Sequence, residues 1–294
     1  MKIGIPKGLC YYYIEEYIKF LNNLGIDVIA YETDKEIIKL GNEVSNDEMC
    51  LSLKIFLGHI KKLENNCDYI LIPNLNNYGL ENQMCPNFTA LYNIVNNLFN
   101  VKILTFDIDY KNKKDKIKAF YELGKQLGFT NNHIKKTYKK TIIEYESSLK
   151  TKIINNTNKL DSDKKKILLI SHMYNTYDKY IGSPIIEYLE KLNCEIIYSD
   201  CFDTKLTNDL SKYLSNNLYF KTSKENIGSI ILCKEKIDGI LFLSSFPCCI
   251  DSLVTELVIR KIDKPYLNLI IDDLDSTSGI ETRLESFVDI IEQV

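Results

Sequence analysis

Apolar residues along this chain come in short unbroken runs. Each run is followed by a stretch in which apolar positions recur every three or four residues. KIGIP at 2–6 reads as a buried strand, and YYYIEEYIKFLNNLG at 11–25 as an amphipathic helix stopped by Gly25. DVIAYE at 27–32 is a second strand, before a short helix over 34–41 and a longer one over 45–64. YILIP at 69–73 is a strand, 86–99 a helix and VKILTFDI at 101–108 a strand. Runs that are apolar throughout and separated by helices predict a parallel sheet covered on both faces.

A polar helical stretch over 113–163 carries no strand pattern and ends in NNTNKLDSDKKK. The rhythm then resumes. Strands are predicted at 166–172, 194–200, 237–245 and 265–272, with helices at 182–193, 222–236, 251–262 and 280–292. The fold expected is α/β: two doubly wound, Rossmann-like lobes with parallel sheets, facing each other across a cleft and joined by a helical segment. Their limits are 1–112 for the N-terminal lobe, 113–163 for the bridging helices and 164–294 for the C-terminal lobe. The halves start alike, with no clear residue-level repeat between them. Ligands of such sheets gather beyond the carboxyl ends of the strands. That places Cys10, Ser171-His172, Asp200, the segment 244–249 and the loop 272–279 where function is expected.

Composition narrows the classes. Hydrophobic residues make up 45% and charged residues 26% of the 294, as in an ordinary globular protein. The net charge of −3 sets up no field that calls for nucleic acid, and the lysine clusters are interleaved with Asp, Glu and Asn. No apolar run approaches the roughly 20 residues that span a bilayer. MKIGIPKGLCYYYIEEY lacks the apolar core of a secretory signal. The expectation is a cytoplasmic protein that binds neither membrane nor nucleic acid, whose nine cysteines are thiols or metal ligands.

Three cysteine sites stand out. Cys50 follows Ser45-Asn46-Asp47-Glu48, a capping-box pattern, and Cys85 directly precedes Pro86. Cys248 and Cys249, in FPCCID, precede Asp251-Ser252, which can cap the next helix. Each pattern puts sulfur near a helix N-terminus, where free N–H groups and partial positive charge stabilise an anionic thiolate or an iron–sulfur centre. No CxxC occurs, so a zinc ribbon or ferredoxin insert is disfavoured. His59 lies nine residues past Cys50, about 180° around a helix, so those two do not readily share an ion. Cys67, Cys194 and Cys233 read as small buried hydrophobes.

KIGIPKGLCYYYIEEY (2–17), SNDEMCLSLKIFLGHI (45–60), HMYNTYDKYI (172–181), SSFPCCIDSLVTEL (244–257) and the segment 265–291 together resemble the 2-hydroxyacyl-CoA dehydratase family, most of all its small activase-related branch. The resemblance implies a [4Fe–4S] cluster, or a double-cubane variant, on Cys50, Cys85 and Cys248, held between the lobes. Cys249 is then a substitute ligand, an extra ligand or a packing neighbour. The family flanks its third ligand with glycine, whereas here Pro247 precedes Cys248 and Cys249-Ile250 follow. Cleft-lining candidates are Cys10, His172, Tyr174, Asn175, Asp178, Ser245, Asp272 and Ser278. The implied function is acceptance of low-potential electrons from an ATP-dependent activase or reductase partner for a reductive or dehydration reaction, with homo- or heterodimer formation. Whether the chain is itself such a dehydratase or reductase, or an accessory to one, stays open. The other reading is a metal-free, two-lobed small-ligand-binding protein or scaffold subunit with structural cysteines.

Overall fold

The computed structural model describes residues 1–79, 82–272 and 278–293. The chain forms two compact units, Met1–Leu149 and Lys150–Val294. Unit one contains β1 (Lys2–Gly4), α1 (Glu15–Asn23), β2 (Asp27–Ile29), α2 (Lys35–Val44), α3 (Leu51–Leu63), β3 (Tyr69–Leu71) and β4 (Asn74–Asn77). It continues through α4 (Pro86–Leu98), β5 (Ile103–Leu104), β6 (Asp107–Asp109) and α5 (Lys116–Gln126). The boundary between units falls inside α6 (Asn131–Asn158). Unit two contains β7 (Lys165–Ser171), α7 (Met173–Thr176), α8 (Gly182–Lys191), β8 (Cys194–Tyr198), α9 (Thr204–Ser211) and α10 (Lys221–Cys233). Then come β9 (Gly239–Ser245), α11 (Cys249–Ile259), β10 (Tyr266–Ile271) and α12 (Ser278–Gln293).

The expected α/β class with parallel sheets is what the chain forms. The first unit's main sheet has the order β2-β1-β3-β5 and the second's β10-β9-β7-β8, all parallel. In both, the chain builds outward on one side and then reverses: the switch lies between β1 and β3, and between β7 and β9. Every residue of β9 is buried, as an apolar run inside a doubly covered sheet requires. It packs with Leu168, Ile170, Ile197, Ile227, Ile230, Val254 and Val258 in one core. In the first unit the Tyr17 ring is stacked between Phe106 and Phe120, with centroids 4.2 and 4.3 Å away.

Two local expectations change. The strand predicted over 101–108 is split into β5 and β6, and the run from 69 extends past Pro73 into β4, which pairs with β6. The Ile72 and Asn74 N–H groups still reach the Leu104 and Phe106 carbonyls, but the Thr105 hydroxyl donates to the Ile72 carbonyl at 2.7 Å and takes the acceptor that would continue the ladder. The helix predicted from 45 starts at Leu51. Ser45 is the extended residue that ends α2, so the Ser45–Glu48 pattern is not used as a capping box.

A residue-level repeat, not apparent from the sequence, links the two units. The central strands β1 and β7 are clamped identically. The carboxylate of Asp68 accepts the Lys2 N–H at 2.7 Å, and that of Asp238 accepts the Lys166 N–H at 2.7 Å. In return the Asp68 and Asp238 N–H groups donate to the Lys2 and Lys166 carbonyls. Each aspartate follows a 13-residue helix, α3 or α10, whose eighth residue is glycine, Gly58 or Gly228. A Cβ on Gly58 would lie 2.0 Å from the Ile37 carbonyl oxygen in α2, and one on Gly228 would lie 1.9 Å from that of Thr207 in α9. Both helix pairs therefore cross with backbones in contact. The clamp and the crossing involve few side chains, and those between them diverge, which hides the pattern in the sequence.

Candidate functional site

A helix that leads into a parallel strand begins at the carboxyl ends of the sheet. The helices α3, α4 and α11 all do so, and their N-cap residues are Cys50, Cys85 and Cys248. The sequence expectation of sulfur near three helix N-termini is thus met at the N-cap itself. Cys85 and Cys248 hold corresponding places in the two units, ahead of the helix that follows the third main-sheet strand. The residue corresponding to Cys50 is Phe220, the N-cap of α10. None of the nine cysteines forms a disulfide.

In the first unit, Cys50 and Cys85 are half-buried. The Asn87 amide, two residues past Cys85, donates to Cys50 Sγ at 3.6 Å, bringing the α4 start to the α3 start. Burial pushes the Cys50 thiol above its ordinary pKa. The Leu53 and Ser52 N–H groups and the Asn87 amide act in the opposite direction without overcoming it. Cys10, expected to line a cleft, is completely buried, and burial pushes its thiol up to about 12.

In the second unit the site forms at the switch point, where β7 and β9 lie side by side. His172 directly follows β7 and is the N-cap of the short α7. Its ring stacks on Tyr174, centroids 4.7 Å apart. Cys248 follows β9 after the turn that contains the cis Phe246–Pro247 peptide. Asp251 is the third residue of α11 and points its carboxylate to His172, with Oδ1 3.1 Å from Nε2. The ligand atoms of His172, Cys248 and Asp251 lie within 4.8 Å of one another. His172 and Asp251 are buried, and Asp251 Oδ2 has no hydrogen-bond partner among the described residues.

The other predicted cleft residues brace this corner. The Ser245 hydroxyl donates to Asn175 Oδ1 at 2.7 Å, joining the end of β9 to α7. Asp178 Oδ1 accepts the Tyr180 and Ile181 N–H groups, turning the chain into α8. Tyr174, Asn175 and Asp178 are all buried. Cys249 is exposed, and so is Asp272 just beyond β10. Residues 273–277 and the Ser278 side chain lie outside the described residues. Sequence reading took Asp251 for a capping residue, whereas Cys248 occupies that position and Asp251 faces His172. The rule that ligands gather at strand ends marked both loops; that they are neighbours follows only from the strand order.

A second polar cluster follows β8. The Tyr177 hydroxyl donates to Asp200 Oδ2 at 2.8 Å and lies 3.3 Å from Cys201 Sγ. Burial raises the Asp200 carboxyl from 3.8 to about 6, against the lowering effect of the Tyr177 hydrogen bond. A carboxyl raised in the folded state binds its proton more tightly there than in the unfolded chain. Its contribution is complete below 3.8 and is lost as pH rises through about 6. Across this range Asp200 should therefore add a downward slope with pH to the stability measured by urea unfolding. Asp200→Asn should flatten that slope and be the more stable protein above neutral pH. An unchanged slope in the variant would assign the pH dependence elsewhere.

Among the described residues, no helix is long and apolar enough to cross a membrane. No curated protein matches the chain. Similar solved structures include a Mn-bound periplasmic metal binding protein from Candidatus Liberibacter asiaticus, at 13% identity and a TM-score of 0.31, covering 100% of this chain and 99% of that one. Another is a Zn(II)-bound AdcAII variant of Streptococcus pneumoniae, at 13% identity and a TM-score of 0.31, covering 100% and 97%. Likeness this distant says nothing about what the chain binds. A family match spans residues 2–202, which takes in Cys50, Cys85 and His172 and stops short of Cys248 and Asp251. It carries the activase side of the resemblance seen in the sequence and does not extend to the dehydratase itself. The matched family is the CoA enzyme activase uncharacterised domain (DUF2229), and the chain belongs to it.

Proposed function

We propose that the chain is a cytoplasmic redox component of a CoA-enzyme activation system and carries a [4Fe–4S] cluster, or a double-cubane variant, on Cys50, Cys85 and Cys248. The observation that supports this most is the placement of all three sulfurs at the N-caps of helices of 11 or 13 residues. At an N-cap the first-turn N–H groups lack intrahelical partners and face the capping position. A donor set of three thiolates suits iron–sulfur chemistry, and the N–H groups favour the added negative charge. When bound, such a cluster supplies one-electron transfer at low potential. The chain's own residues hold and shield it. Asn87 orients the Cys50 sulfur, the Ser245–Asn175 bond fixes the end of β9 ahead of Cys248, and the buried ring of Tyr174 keeps water from that corner.

Electrons would pass between this chain and a separate partner of the activation system, either an ATP-dependent activase or the dehydratase-type CoA enzyme that it serves. The reaction so supported is a reduction or a dehydration. Anaerobic reconstitution with iron and sulfide tests the reading. The expected product is brown, contains about four irons per chain and gives an EPR signal on reduction. Cys50→Ser and Cys85→Ser should each lower iron and sulfide together, whereas Cys194→Ser, at a buried packing position, should not. Retention of the full iron load by both of the first two variants would overturn the proposal.

A further inference from the structure

We infer that His172, Cys248 and Asp251 form a second site, alternative to the cluster, for one divalent first-row transition-metal ion, of the zinc or ferrous kind. An imidazole, a thiolate and a carboxylate are the three side-chain donors that such ions take, and three protein ligands leave a fourth position for water or an exchangeable ligand. The spacing suits one ion better than separate irons of a cluster. Tetrahedral bonds of roughly 2.0–2.3 Å put ligand atoms about 3.3–3.8 Å apart. The His172–Asp251 pair already stands at 3.1 Å, and all three ligand atoms fall within 4.8 Å. Asp251 also offers a buried oxygen, Oδ2, that no described residue satisfies, and an isolated buried carboxylate oxygen is costly.

The scaffold holds these groups rigidly. His172 and Cys248 follow neighbouring strands of one sheet, Ser171 Oγ bonds the Leu243 carbonyl at 2.6 Å between those strands, and Asp251 is fixed by the first turn of α11. On binding, Cys248 gives up its thiol proton to solvent and His172 coordinates through Nε2. No residue of the first unit is required. This inference goes beyond the iron–sulfur proposal and does not rest on it. The two share only Cys248, so zinc bound first should block iron uptake.

Anaerobic titration of the full-length, metal-free chain with Co²⁺ tests the site. We expect about one ion per chain, a thiolate-to-cobalt charge-transfer band, intense visible ligand-field bands, and loss of both when Zn²⁺ is added. His172→Gln and the nearly isosteric Asp251→Asn should each weaken binding by at least the roughly 10–100-fold that changes behind the ligands cost. Cys50→Ser and Cys85→Ser should bind Co²⁺ as the parent does while losing iron–sulfur loading, which separates this site from the cluster. Absence of the charge-transfer band in the parent, an unchanged affinity in both His172→Gln and Asp251→Asn, or loss of the band in Cys50→Ser would each overturn the inference.

Discussion

Cys248→Ser is expected to abolish both kinds of metal loading, and no other single replacement should. Its sulfur is the atom common to the proposed cluster and to the His172–Asp251 site. The variant should lose the cobalt charge-transfer band entirely, because serine oxygen is a poor substitute for thiolate toward zinc, cobalt or iron. It should also fall well below four irons per chain on reconstitution. Folding should be almost untouched: Cys248 is a half-buried N-cap, and serine is a preferred residue there. Cys249→Ser provides the contrast. That thiol is exposed, so the variant should keep the cobalt site, and its iron content decides whether Cys249 is an extra ligand. A Cys248→Ser protein that binds cobalt through sulfur would transfer the ligand role to Cys249.

The largest effect on stability is expected from alanine at Gly58 or Gly228. A Cβ at either position would sit 2.0 or 1.9 Å from a carbonyl oxygen of the facing helix, where backbone atoms cannot step aside as a side chain can. Each helix pair must therefore move apart. Overpacking of this kind costs about 1–3 kcal/mol, with larger values where backbone is displaced. For Gly58 the consequence reaches the site, because the α2–α3 crossing sets where α3 begins and so where Cys50 stands. Thermal and urea unfolding should show both variants lowered, and Gly58→Ala should also lose iron loading. Gly279→Ala is the control: the position is exposed in the first turn of α12 and a Cβ there meets nothing within 4 Å. Equal stability in all three variants would mean that the helices do not cross as closely as described.

Much of the fold was legible because period-two and period-3.6 patterns are local. Strands β7, β9 and β10 and helices α1, α4 and α12 fall close to where the pattern put them. Less legible was anything set by a partner strand or helix. The break between β5 and β6 goes with the Thr105 hydroxyl taking the Ile72 carbonyl across the ladder, and α9 was missed because the residues it buries, Thr207 and Ser211, are polar. The repeated clamp rests on two aspartate side chains and four backbone N–H groups, too few side chains to stand out along 294 residues.

From the sequence alone came the α/β class, the strand ends as the functional edge, and three cysteines poised at helix starts. The first two follow from hydrophobic spacing, which acts over a few residues. Of the cysteines only Cys85 rests on a signal the structure keeps, Pro86 at the first helical position, since neither Ser45–Glu48 nor Asp251-Ser252 caps its helix. Tertiary structure alone decided that His172 and Asp251 share a corner with Cys248, since β7 and β9 become neighbours only when the chain reverses direction in the sheet. It also decided that Cys10 is buried core and that burial outweighs the helix amides at the Cys50 thiol. Desolvation depends on everything packed around a group, which no local pattern encodes.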